Sequence, residues 1–137
     1  MRVTTFFLFA IILSPAYFSA QPSFVDSLKR CIYTGLDPAH RSEQIYRLGV
    51  YYSGKSLSDS AKLYVDLLQE EATRSGKCSD KANAADLWGR YYYVRGSYRE
   101  AIARLEEARG LYSTCEDPEK RARVCRVMAG CYLDRKS

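Results

Sequence analysis

The sequence predicts an all-α fold, a helical-repeat solenoid of antiparallel helix pairs, with about two and a half repeats after a capping helix. Three observations support this prediction. Short segments recur at an interval of 40 residues. Apolar side chains recur at the 3.6-residue period of an amphipathic helix, and capping or turn residues separate the periodic segments. No stretch has the alternating apolar pattern of a β-strand.

Residues 1–20 have the organisation of a secretory signal peptide. A short start carries Arg2 and no acid, the apolar run "FFLFAIIL" follows at 6–13, and small residues precede a cleavage site. This run is shorter than the roughly 18 apolar residues that a transmembrane helix takes. Cleavage after Ala20 would make Gln21 the first mature residue, and cleavage after Ala16 is the alternative. The sequence therefore predicts an exported protein, periplasmic or secreted, with a folded domain over 21–137.

The composition is that of a foldable globular domain, with 47% apolar and 27% charged residues. The formal net charge is +5, from 21 basic and 16 acidic residues. The basic residues are scattered, and no run of five or six like charges marks a nucleic-acid-binding tail. We therefore expect no nucleic-acid partner.

The first predicted element is a capping helix over 23–34, because Phe24, Leu28 and Ile32 form one apolar stripe. The repeats follow over about 42–76 and 82–114, and a partial third repeat covers 118–137. The recurrent segments are "LGVYY" (48–52), "WGRYY" (88–92) and "MAGCY" (128–132). In each, a small residue follows a large apolar one, and a tyrosine comes three residues later. Ala61 and Ala101 are also 40 residues apart.

The second repeat gives the clearest helix boundaries. Its first helix has one apolar face, formed by Ala85, Trp88, Gly89 and Tyr92. Gly96 is predicted to end that helix, and Ser97 with Glu100 to form a capping box at the start of the next one. Asp117 and Pro118 have the N-cap and N1 pattern that begins the third repeat.

The segment "WGRYYYVRGSYREAIARLEEA" (88–108) resembles a tetratricopeptide repeat. The resemblance covers 84–110 best, 44–76 less well and 122–137 in part. The 40-residue period is longer than the usual value of about 34. In this respect the chain resembles the exported N-terminal repeat regions of Bacteroidetes signalling proteins. The first repeat departs from the pattern, with Ser56 and Ser58 where the second has Gly96 and Tyr98.

The resemblance implies an exported, non-catalytic scaffold that binds a protein or peptide in a groove lined by the first helix of each repeat. The residues that would face this groove are Glu43, Tyr46, Val50, Asn83, Asp86, Arg90, Tyr93, Arg123, Arg126 and Leu133. We expect a peptide partner to use Arg90 and Arg126. The set lacks the lysine, asparagine and arginine combination that grips a terminal carboxylate. The alternative is the N-terminal sensor part of a longer envelope signalling protein, a histidine kinase or regulator.

No residues suggest catalysis, a metal or a cofactor. His40 is the only histidine, and no serine or cysteine motif accompanies it to form a nucleophile and base. The cysteine spacings do not match zinc ligands. Trp88, Tyr92 and Tyr98 are predicted to belong to the helix core, with the arginines directed to solvent.

The five cysteines have two open interpretations. They are small buried side chains of the helices, or an exported chain forms one disulfide, with Cys78 and Cys115 at neighbouring helix ends as the candidate pair. An odd number leaves at least one thiol unpaired. The partial third repeat has one helix, so Met128, Tyr132 and Leu133 are expected to form an exposed apolar edge. Such an edge would be covered by self-association through the C-terminal helix, or by further residues of a longer chain.

Overall fold

The computed structural model describes residues 23–35 and 38–137. These residues form six α-helices: α1 (Phe24–Thr34), α2 (Arg41–Gly54), α3 (Ser58–Ser75), α4 (Cys78–Val94), α5 (Tyr98–Thr114) and α6 (Pro118–Lys136). No strand occurs in the described ranges, and the all-α prediction is confirmed for them. The predicted signal peptide and its cleavage sites lie outside the described residues.

Consecutive helices from α2 onward pack antiparallel, as the contacts between α4 and α5 illustrate. Cys78 begins α4 and is bonded to Cys115, just past the end of α5. At the opposite end of the pair, the rings of Tyr93 and Tyr98 have centroids 5.9 Å apart. Helices α2, α4 and α6 therefore run in the same direction, and they contact one another in that order. They form one layer, and α3 and α5 form the other.

The connections α2–α3, α4–α5 and α5–α6 share one three-residue turn with a left-handed middle residue. The middle residues are Ser56 (φ 57°), Gly96 (φ 74°) and Glu116 (φ 57°). This conformation costs an L-residue about 1–2 kcal/mol. Each turn is closed by a backbone hydrogen bond to the preceding helix: Leu57 to Tyr52, Ser97 to Tyr92 and Asp117 to Tyr112. The first repeat thus keeps the turn of the second, although serine replaces glycine.

The predicted helix starts are correct in part. Asp117 caps α6, since its side chain accepts a hydrogen bond from the Lys120 backbone N–H at 3.0 Å, and Pro118 occupies the first turn. Ser97 is the N-cap residue of α5, but its side chain makes no capping hydrogen bond. The capping box expected with Glu100 is therefore not formed, and the start of α5 depends on the turn described above.

Helix α4 is the centre of the core, because it is buried against α2, α3 and α5 at once. Its fully or nearly buried residues are Asp80, Ala82, Asn83, Ala84, Ala85, Asp86, Leu87 and Gly89. Leu87 packs into the apolar cluster of α1, α2 and α3, while Ala82 and Ala85 pack into the cluster of α5 and α6. The two clusters therefore meet at α4.

Two glycines at equivalent positions allow close helix packing. A Cβ added to Gly89 would lie 2.5 Å from Leu105 Cγ, and one added to Gly49 would lie 2.3 Å from a Leu87 methyl carbon. Both distances are shorter than any van der Waals contact. The small residue predicted at these two positions is therefore needed for α5 to approach α4 and for α4 to approach α2.

Several apolar residues lie elsewhere than expected. In α1, Leu28 and Ile32 are buried, but Phe24 is 54% exposed. Trp88, Tyr92 and Tyr98 are half-buried and pack against the core clusters, with Trp88 and Tyr92 stacked at a centroid distance of 5.5 Å and Tyr98 also lining a groove described below. Met128 was expected at an exposed edge and is instead buried against α5. Tyr132 and Leu133, at 42% and 69% exposed, are what remains of that edge.

Candidate functional site

A groove of about 1180 Å³ crosses the layer formed by α2, α4 and α6. Most of its lining residues occupy equivalent positions on the three helices, 40 or 80 residues apart. These equivalent sets are Glu43 and Arg123; Tyr46 and Arg126; Arg47 and Val127; Val50, Arg90 and Gly130; Ser53 and Tyr93; Gly54, Val94 and Asp134. Three of the four lining arginines lie in the N-terminal halves of their helices, and the lining valines Val50 and Val94 lie in the C-terminal halves, together with Arg90 and Asp134.

The floor between α2 and α4 is a buried hydrogen-bond network centred on Asp86, which has no exposed surface. The Tyr46 hydroxyl donates to Asp86 Oδ2 at 2.5 Å, and Arg90 Nε donates to Asp86 Oδ1 at 2.8 Å. From α5, the Tyr112 hydroxyl donates to Asn83 Oδ1 at 2.7 Å. Buried polar groups are tolerated when their partners are in place, and here three helices supply them.

Lys120 extends this network to α6. Its Nζ donates to Glu43 Oε2 at 2.6 Å and to Asn83 Oδ1 at 3.0 Å, and it lies 4.7 Å from the centroid of the Tyr46 ring. The Lys120 side chain is only 16% exposed. One ammonium group therefore links the first turn of α6 to both α2 and α4, and so fixes the relative positions of the three groove helices.

The electrostatics of the network keep its two tyrosine hydroxyls and Arg90 protonated around neutral pH. Burial, followed by the nearby Asp86 charge, raises the pKa of the Tyr46 and Tyr112 hydroxyls well above their usual range. Burial lowers the pKa of the Arg90 guanidinium, but the Asp86 charge and hydrogen bond outweigh it, so that pKa is raised. Both tyrosines therefore act as neutral donors, and Arg90 stays charged.

A second polar link joins α4 to α6 within the groove. The Tyr93 hydroxyl donates to Asp134 Oδ2 at 2.6 Å. This hydrogen bond, with burial as the next cause, raises the pKa of Tyr93 to about 12. A Cβ on Gly130 would lie 3.3 Å from the same hydroxyl, so the glycine leaves room for the tyrosine over α6.

The cations of the groove differ in whether their charge is balanced. Arg90 is paired with buried Asp86, and Arg123 is paired with exposed Glu119 on its own helix. Arg47 lies over the Phe24 ring, 4.8 Å from its centroid, and makes no ion pair with any described residue. Arg126 is exposed and makes no ion pair with any described residue. These last two arginines are the uncompensated charges of the site.

The structure brings most of the predicted groove residues to one surface. Those that line the groove are Glu43, Tyr46, Val50, Arg90, Tyr93, Arg123 and Arg126. Asn83 and Asp86 do not face it: they are 2% and 0% exposed and lie beneath the floor, where Tyr46, Tyr112 and Lys120 occupy their polar atoms. Leu133 is also outside the lining, because it is directed away from the groove on the exposed edge of α6.

Other lining residues were missed by the sequence argument. The equivalents of Arg47 on the next helices are Leu87 and Val127, so the repeat suggested an apolar position there. Phe24 was assigned to a buried stripe of α1. Ser53 is the second-last residue of α2, and no sequence pattern singles it out. Lys120 belongs to the hydrogen-bond network and not to the lining, and its only sequence signal is a cation three residues after an N-cap aspartate.

The two cysteines proposed as a pair are joined. The Sγ atoms of Cys78 and Cys115 lie 1.98 Å apart, with Cα atoms 5.8 Å apart. Cys31, Cys125 and Cys131 have free thiols. The disulfide lies at the far end of the α4–α5 pair from Tyr93 and Tyr98, and it is not part of the groove.

Other kinds of site have little support in the described residues. Within them, no three His, Cys, Asp or Glu side chains come together as a set of metal ligands. No helix in residues 23–35 and 38–137 is both long and apolar enough to cross a membrane.

Comparison of the chain with protein-family models, with curated proteins and with solved structures finds no match.

Proposed function

We propose that this chain is an exported, non-catalytic scaffold that binds a protein or peptide segment in the groove across α2, α4 and α6. The observation that carries the proposal is the combination of an open groove of about 1180 Å³ with a floor fixed by buried hydrogen bonds. A preorganised surface loses little conformational freedom on binding, which favours affinity. The groove is long enough to involve three helices, as an extended segment needs.

The same proposal includes a tetratricopeptide-like arrangement of the helices, with α2–α3 and α4–α5 as two repeats and α6 as the start of a third. The shared turns at Ser56, Gly96 and Glu116 support it. So do the close-packed glycines 49 and 89, which are 40 residues apart. In arrays of this kind the repeats pack on their neighbours, and the packing of α2, α4 and α6 follows that order, with the long Lys120 side chain reaching past α4 to α2.

Export is the third part of the proposal. The Cys78–Cys115 disulfide supports it, because disulfides persist in oxidising compartments such as the periplasm and are rare in the cytosol. The predicted signal peptide supplies the route.

A pair of glycine substitutions tests the binding site. Gly54 lines the groove and Gly110 lies on α5 outside it, and a Cβ at either position meets nothing within 4 Å. We therefore expect Gly54→Trp to fold and to place its indole in the groove, and Gly110→Trp is a matched control. Peptides would be selected on the unmodified protein from a displayed library of random sequences, and their affinities measured by fluorescence anisotropy.

We expect most selected peptides to bind Gly54→Trp at least about tenfold more weakly, a loss of about 1.4 kcal/mol, and to bind Gly110→Trp unchanged. A library that yields no binders, or binders equally tolerant of both tryptophans, would refute the proposed groove.

A further inference from the structure

We propose that the groove recognises an internal peptide segment that combines acidic side chains with an aliphatic or aromatic one. This inference rests on the proposed function and specifies its ligand. Three observations carry it: the uncompensated arginines, the apolar part of the groove, and a buried hydroxyl without a partner.

The charge of the groove favours an acidic ligand. Its lining carries four arginines and two carboxylates, Glu43 and Asp134. Both carboxylates have donors already, since Lys120 binds Glu43 and Tyr93 binds Asp134. Arg47 and Arg126 have no acidic partner in the described residues, so their charges are left for a ligand. Arginine pairs well with carboxylates because its planar guanidinium donates two parallel hydrogen bonds.

The C-terminal half of the groove favours an apolar side chain. Val50 and Val94 line it in the last two turns of α2 and α4, and the exposed Phe24 ring lines the same groove under Arg47. These three side chains have apolar area that a ligand side chain would remove from water, at about 25 cal/mol per Å².

Ser53 supplies the independent sign of a ligand. It lines the groove, is only 6% exposed, and its hydroxyl has no hydrogen-bond partner in the described structure. A buried hydroxyl without a partner is unfavourable by about 1–3 kcal/mol. The Ser53 oxygen is covered in the unliganded groove, so a peptide backbone amide or carbonyl would satisfy it once the side chains over it shift, which would place the chain of the ligand against the end of α2.

A nucleic acid is a poorer fit than a peptide. Only two arginines are free of acids, and Glu43 and Asp134 line the same surface, where they would repel a phosphate backbone. Non-specific nucleic-acid binding depends on neutralising several phosphates at once. An acidic peptide needs fewer cations than a nucleic acid does, and its apolar side chain can also contact the valines of the groove.

The test uses the same displayed library, with each peptide fused through its C-terminus so that it has no free terminal carboxylate. Peptides whose binding is lost on Gly54→Trp would be sequenced and synthesised with amidated ends. We expect them to contain more Asp and Glu than the library, together with at least one aliphatic or aromatic residue. Groove-dependent peptides without an acidic excess would overturn this inference while leaving the proposed function standing. A library without groove-dependent peptides would refute the proposed function itself.

Charge reversal examines the two arginines directly. Arg47→Glu with Arg126→Glu should weaken binding of the acidic peptides by about 10- to 100-fold, the range for lost hydrogen bonds to charged groups. The matched control is Arg99→Glu with Lys136→Glu, which changes the net charge equally at exposed positions outside the groove, and it should bind as the unmodified protein does. Equal losses in both variants, or displacement of the peptides by a single-stranded oligonucleotide, would overturn the inference.

Ser53→Ala tests the hydroxyl. Because that hydroxyl is buried without a partner in the described structure, the variant should unfold at a higher temperature than the unmodified protein. We expect it to bind the peptides about 2- to 10-fold more weakly, as for the loss of one neutral hydrogen bond. Unchanged affinity would contradict the place of Ser53 in the site.

Discussion

Asp86 illustrates how a single residue can determine the shape of a surface that it does not reach. Its carboxylate is fully buried, and Tyr46, Arg90 and Tyr112 surround it. Arg90 is the link to the groove, because it balances this charge with one edge and lines the site with the rest of its side chain. The sequence predicts that a peptide partner uses both Arg90 and Arg126. Arg90 lines the groove while paired with Asp86, and Arg126 makes no ion pair with a described residue.

The first prediction concerns this pair. Asp86→Leu should lower the free energy of unfolding by about 3–5 kcal/mol, because it leaves a largely buried guanidinium without its counter-charge. Asp86→Leu combined with Arg90→Met removes both charges and should recover most of that loss. Urea unfolding of the two variants and the unmodified protein measures both values. A double variant no more stable than Asp86→Leu alone would show that the ion pair is not the source of the effect.

At the scale of helices, the packing of α4 on its neighbours decides where small residues are required. Gly89 and Gly110 are both helical, but a Cβ on Gly89 would overlap Leu105 whereas one on Gly110 meets open space. The sequence pattern identified the first as a contact point and gave no special status to the second. The structure supplies the reason, which is the approach of α5.

These two glycines give predictions of opposite sign. Gly110→Ala should raise the free energy of unfolding by up to about 1 kcal/mol, since alanine is the better helix former. Gly89→Ala gains the same propensity but overpacks the α4–α5 interface, at about 1–3 kcal/mol, so its net effect should be a loss. Thermal unfolding of both variants compares them. Stabilisation by Gly89→Ala would mean that Leu105 can move aside at little cost.

The helices were easier to predict than the site, for a physical reason. The 3.6-residue period and the 40-residue recurrence are local properties, visible in residues 48–52 and 88–92. Whether a polar residue on the groove helices is exposed depends on distant partners. Asn83 is buried because Tyr112 and Lys120, 29 and 37 residues away, donate hydrogen bonds to its side-chain oxygen. The periodicity of the sequence does not predict those contacts.

For the whole molecule, one covalent bond and one buried ammonium group tie the helices together. Cys78 and Cys115 are 37 residues apart and tie the start of α4 to the end of α5. Lys120 reaches Glu43 across 77 residues and joins the last helix to the first groove helix. Together they hold α4, the central helix, against α5 in the other layer and against α2 and α6 in its own layer.

We predict that Cys78→Ser with Cys115→Ser lowers the free energy of unfolding by about 2–4 kcal/mol, mainly by releasing a constraint on the unfolded chain. The groove is remote from this bond, so peptide affinity should be unchanged at temperatures where the variant is folded. Thiol titration of the denatured protein without reductant should find the three free cysteines and not all five. Five reactive thiols would contradict the bridge.

The Tyr46–Asp86 hydrogen bond joins two residues that occupy the same position in successive repeats. Suppose that residues 77–116 were duplicated in tandem. The aspartate of the inserted copy would then face Asp86 of the preceding copy, where Asp86 now faces a tyrosine. Two carboxylates would then face each other in a site without solvent, where like charges are strongly disfavoured. The order of these helices therefore depends on different residues at the equivalent position of successive repeats. An array lengthened by copying this repeat would need a different residue at Asp86 in one of the copies.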